Sequence, residues 1–212
     1  NKNESKILLY NNVIIKDSTR ILKGDNIFID YQDSLIKYIE INKNAEIANF
    51  RYAKIDSIQK KQIFQDILTS KKMDLDFING ELSNLQLSGM AITNFNVIQD
   101  TLLKGFNIVS GDTMFIDIKN NIIDNMFVKQ NARGSFTPEK RNTDVSSTVV
   151  YKAQNIDYQV NKQISFLYDN AEIDYESTIL NAGEIFVDWE KNHLEAKEKN
   201  NVYPSVHSIG EN

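Results

Sequence analysis

Along most of this chain apolar and polar side chains alternate with a period of two, the pattern of strands with one buried face. Ile27-Phe28-Ile29-Asp30-Tyr31 sets the phrase, with Ile27, Ile29 and Tyr31 on one side and Phe28 and Asp30 on the other. It returns as Met73-Asp74-Leu75-Asp76-Phe77, Met114-Phe115-Ile116-Asp117-Ile118 and Ile185-Phe186-Val187-Asp188-Trp189, with a looser copy at Ile156-Asp157-Tyr158. Counting the looser copy, the first four starts lie roughly 40–46 residues apart, the spacing of repeats built from one supersecondary unit each. The flanks repeat as well: ILKGDNIFIDY (Ile21 to Tyr31) is rewritten as ILNAGEIFVDW (Ile179 to Trp189).

The residues downstream of each copy match too. Leu82, Leu85, Leu87 and Ala91 come after Phe77 at the offsets at which Ile123, Met126, Val128 and Ala132 come after Ile118, and Ile36, Ile39, Ile41 and Ala45 after Tyr31. Asn/Asp/Gly tips ("QDS", "INGE", "KNN") separate the outgoing strand from the returning one. Each unit therefore predicts a strand, a turn and a returning strand, too small to bury its apolar face without stacking on its neighbours. With eight Gly and two Pro in 212 residues, Asn and Asp close most turns, which their locally hydrogen-bonding side chains permit. The spacing of Ile55, Ile58, Ile63 and Ile67 allows a helix over Lys54 to Ser70, against the plainer reading of a long charged hairpin excursion. Thr137 to Ser147 reads as a loop, and residues 199–212 as a flexible tail or linker.

Composition narrows the function. The chain is 41% hydrophobic and 25% charged, hence globular, and its net charge of −5 leaves no basic stripe for nucleic acid. Cysteine is absent, which removes disulfides and thiolate metal sites. No run of 18 apolar residues predicts a membrane-spanning helix. The opening "NKNESK" carries no apolar signal segment, so the chain is expected either to be cytoplasmic or to have lost its leader. No G-x-S-x-G, P-loop, G-x-G-x-x-G or H-E-x-x-H occurs, and His193 and His207 read as exposed loop residues. The repeated Asp30, Asp76, Asp117 and Asp188 fall on the face opposite the aliphatic one, where they keep a sheet soluble. No catalytic residue, metal or cofactor is expected. The aliphatic face itself has two readings that periodicity does not separate: a closed core, or the lining of an open apolar trough.

The ordered motifs resemble a family. Leu8 to Ile47, with its Asn11-Asn12-Val13 opening, Leu22 to Asp25 phrase and closing Ala45 and Ile47, is similar to the OstA/LptA repeat of lipopolysaccharide transport proteins. Val149 to Lys197 resembles the periplasmic part of LptD-like proteins from bacteria distant from the enteric group, through Tyr151-Ala153-Ile156-Tyr158, Leu167 to Tyr175 and Leu180 to Trp189. Ala132 to Glu139 looks like the junction between these portions. The family's stapling cysteines are missing, and no barrel strands or anchoring helix is seen, which leaves LptA-, LptC- and LptD-like roles open.

The resemblance implies an all-β fold, a stacked, twisted, open β-jellyroll running continuously over residues 1–198, with units about 7–47, 67–93, 103–136 and 149–198. It implies a periplasmic protein, outer-membrane associated only through partners or a missing barrel, that binds lipopolysaccharide acyl chains and passes them to the outer membrane. The groove would be lined by Ile27, Ile29, Tyr31, Ile39, Ile41, Met73, Leu75, Phe77, Leu85, Leu87, Met114, Ile116, Ile118, Met126, Val128, Ile156, Tyr158, Ile185, Val187 and Trp189. Unpaired edges, expected at Leu9, Asn11, Val13 and Ile15 and again around Val187, would join other Lpt-type jellyrolls. The competing expectation is a closed β-solenoid or sandwich serving as a surface or adhesin-like module.

Overall fold

The structure, a computed structural model, describes residues 4–56, 60–141 and 145–208. The alternating segments form strands β1 (Glu4–Lys16), β2 (Arg20–Gln32), β3 (Leu35–Ala53), β4 (Gln62–Ile78), β5 (Glu81–Gln99), β6 (Leu102–Lys119), β7 (Ile122–Pro138), β8 (Val149–Gln159), β9 (Ile164–Tyr175), β10 (Thr178–Asp188), β11 (His193–Lys197) and β12 (Ser205–Ser208). They make one antiparallel meander in chain order from β1 to β11, with β12 beside β10. Two-residue left-handed turns, among them Asp33-Ser34, Asn79-Gly80 and Asn120-Asn121, connect neighbours and match the strands' right-handed twist. The five copies of the repeated phrase fall on β2, β4, β6, β8 and β10.

A single crease organises the sheet. At mid-strand, successive left-handed pairs occur at Asn11-Asn12, Lys43-Asn44, Gly89-Met90, Gln130-Asn131, Asp169-Asn170 and, after β11, Asn200-Asn201. At each strand pair one strand carries one residue more than its partner; Asn11 and Asn12, for example, face Asp25 between the pairs Tyr10↔Asn26 and Val13↔Gly24. Such bulges bend strands and increase their twist, and aligned across the sheet they fold it in two. Side chains tie the line together: Asn44 Nδ2 donates to Asp25 at 3.0 Å and Asn131 Nδ2 to Asp112 at 3.0 Å.

The fold creates two walls. Wall A holds the repeated phrases; wall B holds the other half of each long strand. They meet through their inner faces: Phe95 on β5 packs on Tyr158 of β8 with ring centroids 6.1 Å apart, and Phe136 on β7 packs on Trp189 beyond β10 at 6.3 Å. Each such contact reaches two or more strands further along, which is the sheet twist expressed between layers.

Two expectations are corrected here. The stretch from Lys54 is not a helix in its described part: Gln62–Ile78 is a strand, because Asp66, Leu68 and Ser70 alternate inward with Gln65, Ile67 and Thr69 outward, and residues 57–59 lie outside the described residues. Residues 199–208 are not simply a tail. β12 pairs with β10 through Thr178↔Ser208 to Asn181↔Ser205, and β11 pairs with the other half of β10, so the chain makes one interrupted pass along that edge; residues 209–212 lie outside the described residues. His193 and His207 accordingly sit on exposed strands rather than loops.

Candidate functional site

The inner face of wall A is built in rows by the register. One continuous row runs Leu9, Ile27, Ile41, Met73, Leu87, Met114, Val128, Ile156, Leu167, Ile185, Ala196 across eleven strands. A second row carries Ile29, Ile39, Leu75, Leu85, Ile116, Met126, Tyr158, Ser165 and Val187. Ile27, Ile41, Met73, Leu87, Met114 and Val128 are 0% exposed, and the second row is nearly as covered. Of the sequence-predicted lining, sixteen side chains are thus buried in the floor, Leu85 and Tyr158 among them still bordering a hollow, whereas Tyr31, Phe77, Ile118 and Trp189 form a half-open rim beyond it.

The facing wall was missed from sequence. Its inner row runs Ile15, Leu22, Ile47, Leu68, Thr93, Val109, Gly134, Tyr151, Ile173, Leu180. The period-two alternation does resume after each bulge, and the repeated Ala45, Ala91 and Ala132 mark the crease itself, where both walls converge. Small residues are required there: a Cβ on Gly24 would stand 2.2 Å from Ile41 Cγ2, and one on Gly111 2.4 Å from Val128 Cγ1.

Between the rims the walls part. A hollow of about 60 Å³ lies between wall-A residues Leu82, Leu85, Ile118, Ile122 and Ile123 and wall-B residues Ile47, Leu68 and Phe95. A larger one of about 410 Å³ has a mixed lining, apolar at Val97, Phe136, Val145, Tyr158 and Trp189 and polar at Gln99, Lys104, Asn107, Asn161, Gln163, Glu190 and Asn192. Ile122 and Val160 line both, which places the two side by side along the mouth as the two segments of a furrow. The larger segment alone reaches the size of ordinary ligand pockets, about 300–1,000 Å³.

Polar groups in this interior are mostly satisfied. Tyr151 Oη donates to Asn107 Oδ1 at 2.7 Å and Trp189 Nε1 donates to Ser165 Oγ at 2.8 Å. Burial pushes the Tyr158 hydroxyl up to about 12, an Asn107 hydrogen bond partly offsetting it, and burial raises Tyr151 further still. At the narrow end wall B turns polar: Arg20, Asn49 and Asp66 stand side by side across β2, β3 and β4. Asp66 lies 2.6 Å from Arg51 Nε and accepts from Asn96 N at 2.8 Å and Asn96 Nδ2 at 2.9 Å. Arg20 donates to Asn121 across the mouth. Burial pushes the Asp17 carboxyl up, but hydrogen bonds from the Thr19 amide and hydroxyl and the Arg20 amide, with the Arg20 charge, outweigh it and hold the group below its ordinary value.

The outer face departs from expectation once. Asp30, Asp76 and Asp117 face outward, but Asp188 is only 7% exposed, because Lys191 folds back on it through its amide at 3.0 Å and its ammonium at 2.8 Å. Asp117 and Asp157 flank Phe115 and Phe127 in a shallow outer hollow of about 370 Å³. Among the described residues no three His, Asp or Glu side chains gather to hold a metal, and no helix is long and apolar enough to cross a membrane.

The sheet has one long free edge. Among the described residues β1 pairs only with β2, and it exposes Ile7, Leu8, Tyr10 and Ile14; Leu9, Val13 and Ile15 turn partly inward and Asn11 sits in the crease. The strand of Val187 is not an edge, since β10 lies between β9 and the β11–β12 pass, the chain turning back where Trp189 N donates to Gln163 O at 2.8 Å.

No family model matches the sequence, and no curated protein matches it. Among solved structures the chain is similar to the crystal structure of LptH from Pseudomonas aeruginosa, described as the LptA-homologous periplasmic component of the lipopolysaccharide transport device. The superposition has a TM-score of 0.51 at 12% identity, covering 69% of this chain and 95% of that one. The fold is therefore the open, twisted β-jellyroll of LptA type that the motifs implied.

Proposed function

We propose that this chain carries the acyl chains of lipopolysaccharide, or of a closely similar amphiphile, in the furrow between its walls, and hands them across the periplasm toward the outer membrane. The observation that carries the reading is the pair of adjoining hollows between the walls, which share Ile122 and Val160. The buried rows of wall A form the furrow's floor and the rim residues its sides. Burying a methylene is worth about 0.8 kcal/mol, so a twelve-carbon chain gains roughly 10 kcal/mol over water. One discrete deep pocket of that strength would trap the chain. A rim held open over a floor repeated strand after strand lets the tail exchange one environment for a similar one, and that is a reason to write the same phrase five times. The free β1 edge offers backbone groups for strand addition by another jellyroll of this type, extending the furrow end to end. Within the family, the likeness of Val149 to Lys197 supports the periplasmic part of an LptD-like protein.

A second reading, an interaction module engaged through its outer face, is favoured by the hollow at Phe115 and Phe127 with its flanking carboxylates. The two separate in one titration. Trp189 is the sole tryptophan and lines the wide segment of the furrow, so its emission reports occupancy. Saturable change in that emission on adding a twelve-carbon amphiphile below its micellar concentration, reversed by lipopolysaccharide, is expected. No change with the protein folded would leave the furrow without a ligand and end the carrier reading.

A further inference from the structure

We infer that Arg20 seats the anionic head of the bound amphiphile, a phosphate monoester or its equivalent, while the tail runs from the narrow segment of the furrow into the wide one. This rests on the carrier reading above. On wall B, Arg20, Asn49 and Asp66 stand side by side across β2, β3 and β4. Those three polar side chains face the apolar wall-A residues of the narrow hollow. A hollow with one polar and one apolar wall suits a ligand with a head and a tail.

Charge decides which residue takes the head. Arg51 is neutralised by Asp66, and its Nη2 donates to Asn96 O at 2.5 Å. Among the described residues Arg20 has no carboxylate within ion-pair distance; its guanidinium meets the neutral Asn121, on the turn after β6. The neighbouring Asp17 carboxylate is occupied by the amides of Thr19 and Arg20 at 2.6 and 2.7 Å. The narrow segment therefore brings together two arginines and one aspartate, and Arg20 is answered only by the neighbouring Asp17 charge, without a direct ion pair, in a chain of net charge −5. An anionic oxygen arriving there replaces a neutral amide partner with a charge-assisted one, which is the stronger bond. The Asn121 contact spans the two walls, so the same exchange releases a clasp over the hollow.

The test compares dodecyl phosphate with dodecanol by Trp189 emission, in the wild type, Arg20→Gln, Arg20→Lys and Asn121→Ala. The wild type is expected to prefer the phosphate by about tenfold, less at high salt. Arg20→Gln loses the preference while dodecanol affinity stays; Arg20→Lys keeps most of it; Asn121→Ala keeps or increases it. Equal affinity of the wild type for both ligands overturns the inference and leaves the carrier reading standing, whereas failure of both ligands removes the carrier reading first. Inorganic phosphate competing as strongly as dodecyl phosphate would identify a free-anion site and overturn the amphiphile assignment.

Discussion

Ile122→Asp and Val160→Asp, singly, are expected to weaken binding of a twelve-carbon amphiphile by at least tenfold, about 1.4 kcal/mol or more, and together to abolish it. Both residues line both segments of the furrow, so a carboxylate at either would have to be desolvated by the tail that passes it. The free protein should tolerate the change. Ile122 is 47% exposed at the start of β7, so its variant should unfold within about 0.5 kcal/mol of the parent, whereas Val160 is half-buried against the core in a short 3-10 helix and its variant is expected to lose about 1 kcal/mol. Binding measured by Trp189 emission and stability measured by urea unfolding separate the two effects. Retained affinity in the double variant would mean that the tail does not cross the junction between the hollows.

A second large effect is expected at the crease, on stability rather than binding. Gly111→Val and Gly24→Val each place a Cβ into space that Val128 or Ile41 already occupies, 2.4 and 2.2 Å away. Neither glycine has a left-handed backbone, so the cost is overpacking, about 3 kcal/mol where the neighbour cannot swing clear. Both neighbours are 0% exposed members of the deep row, fixed by register to strands on either side. In a chain of this size the loss corresponds to a fall in melting temperature of roughly 6–12 °C. Ile92→Thr, on the outer face at 41% exposure, is the control and should move it little. A crease that accepts valine without loss would show that the walls are not held together as closely as these distances require.

Much of this fold is legible in the sequence because its unit is short and its period is two. The five phrases specify five strands and one face, and the equal offsets to Ala45, Ala91 and Ala132 record a structural line running across the sheet. What that line does is not legible. A left-handed pair such as Asn11-Asn12 or Asn200-Asn201 is written wholly in residues that suit it, but in Lys43-Asn44, Gln130-Asn131 and Gly89-Met90 one place is taken by Lys43, Gln130 or Met90, types that announce nothing. Without the fold in the sheet, wall B has no partner and its inner residues look like ordinary strand hydrophobes. Arg20, Asn49, Arg51 and Asp66 were hidden for a different reason. Charged residues on the inner face invert the usual rule, and only the folded sheet shows Asp66 at 4% exposure paired across strands with Arg51. The β10 edge was misplaced because a five-residue and a four-residue strand, each too short to show alternation, complete it.

The rim, not the floor, is where ligand contact is expected, since the repeated aliphatic residues of wall A are already in contact with one another and with the opposite wall. That shifts the place to look from Leu75, Ile116 and Ile156, which are 1% exposed, to Ile122, Phe136 and Trp189. It also separates the inside of the jellyroll from its outer aromatic face, where Phe127 sits in the shallow hollow beside Phe115 and under Lys129.

Site-specific photo-cross-linking to lipopolysaccharide, from a benzophenone amino acid placed in turn at Ile122, Phe136 and Phe127, tests the furrow most directly. Adducts from Ile122 and Phe136 and none from Phe127 are the predicted result. Adducts from Phe127 alone, or equally from all three positions, would contradict it.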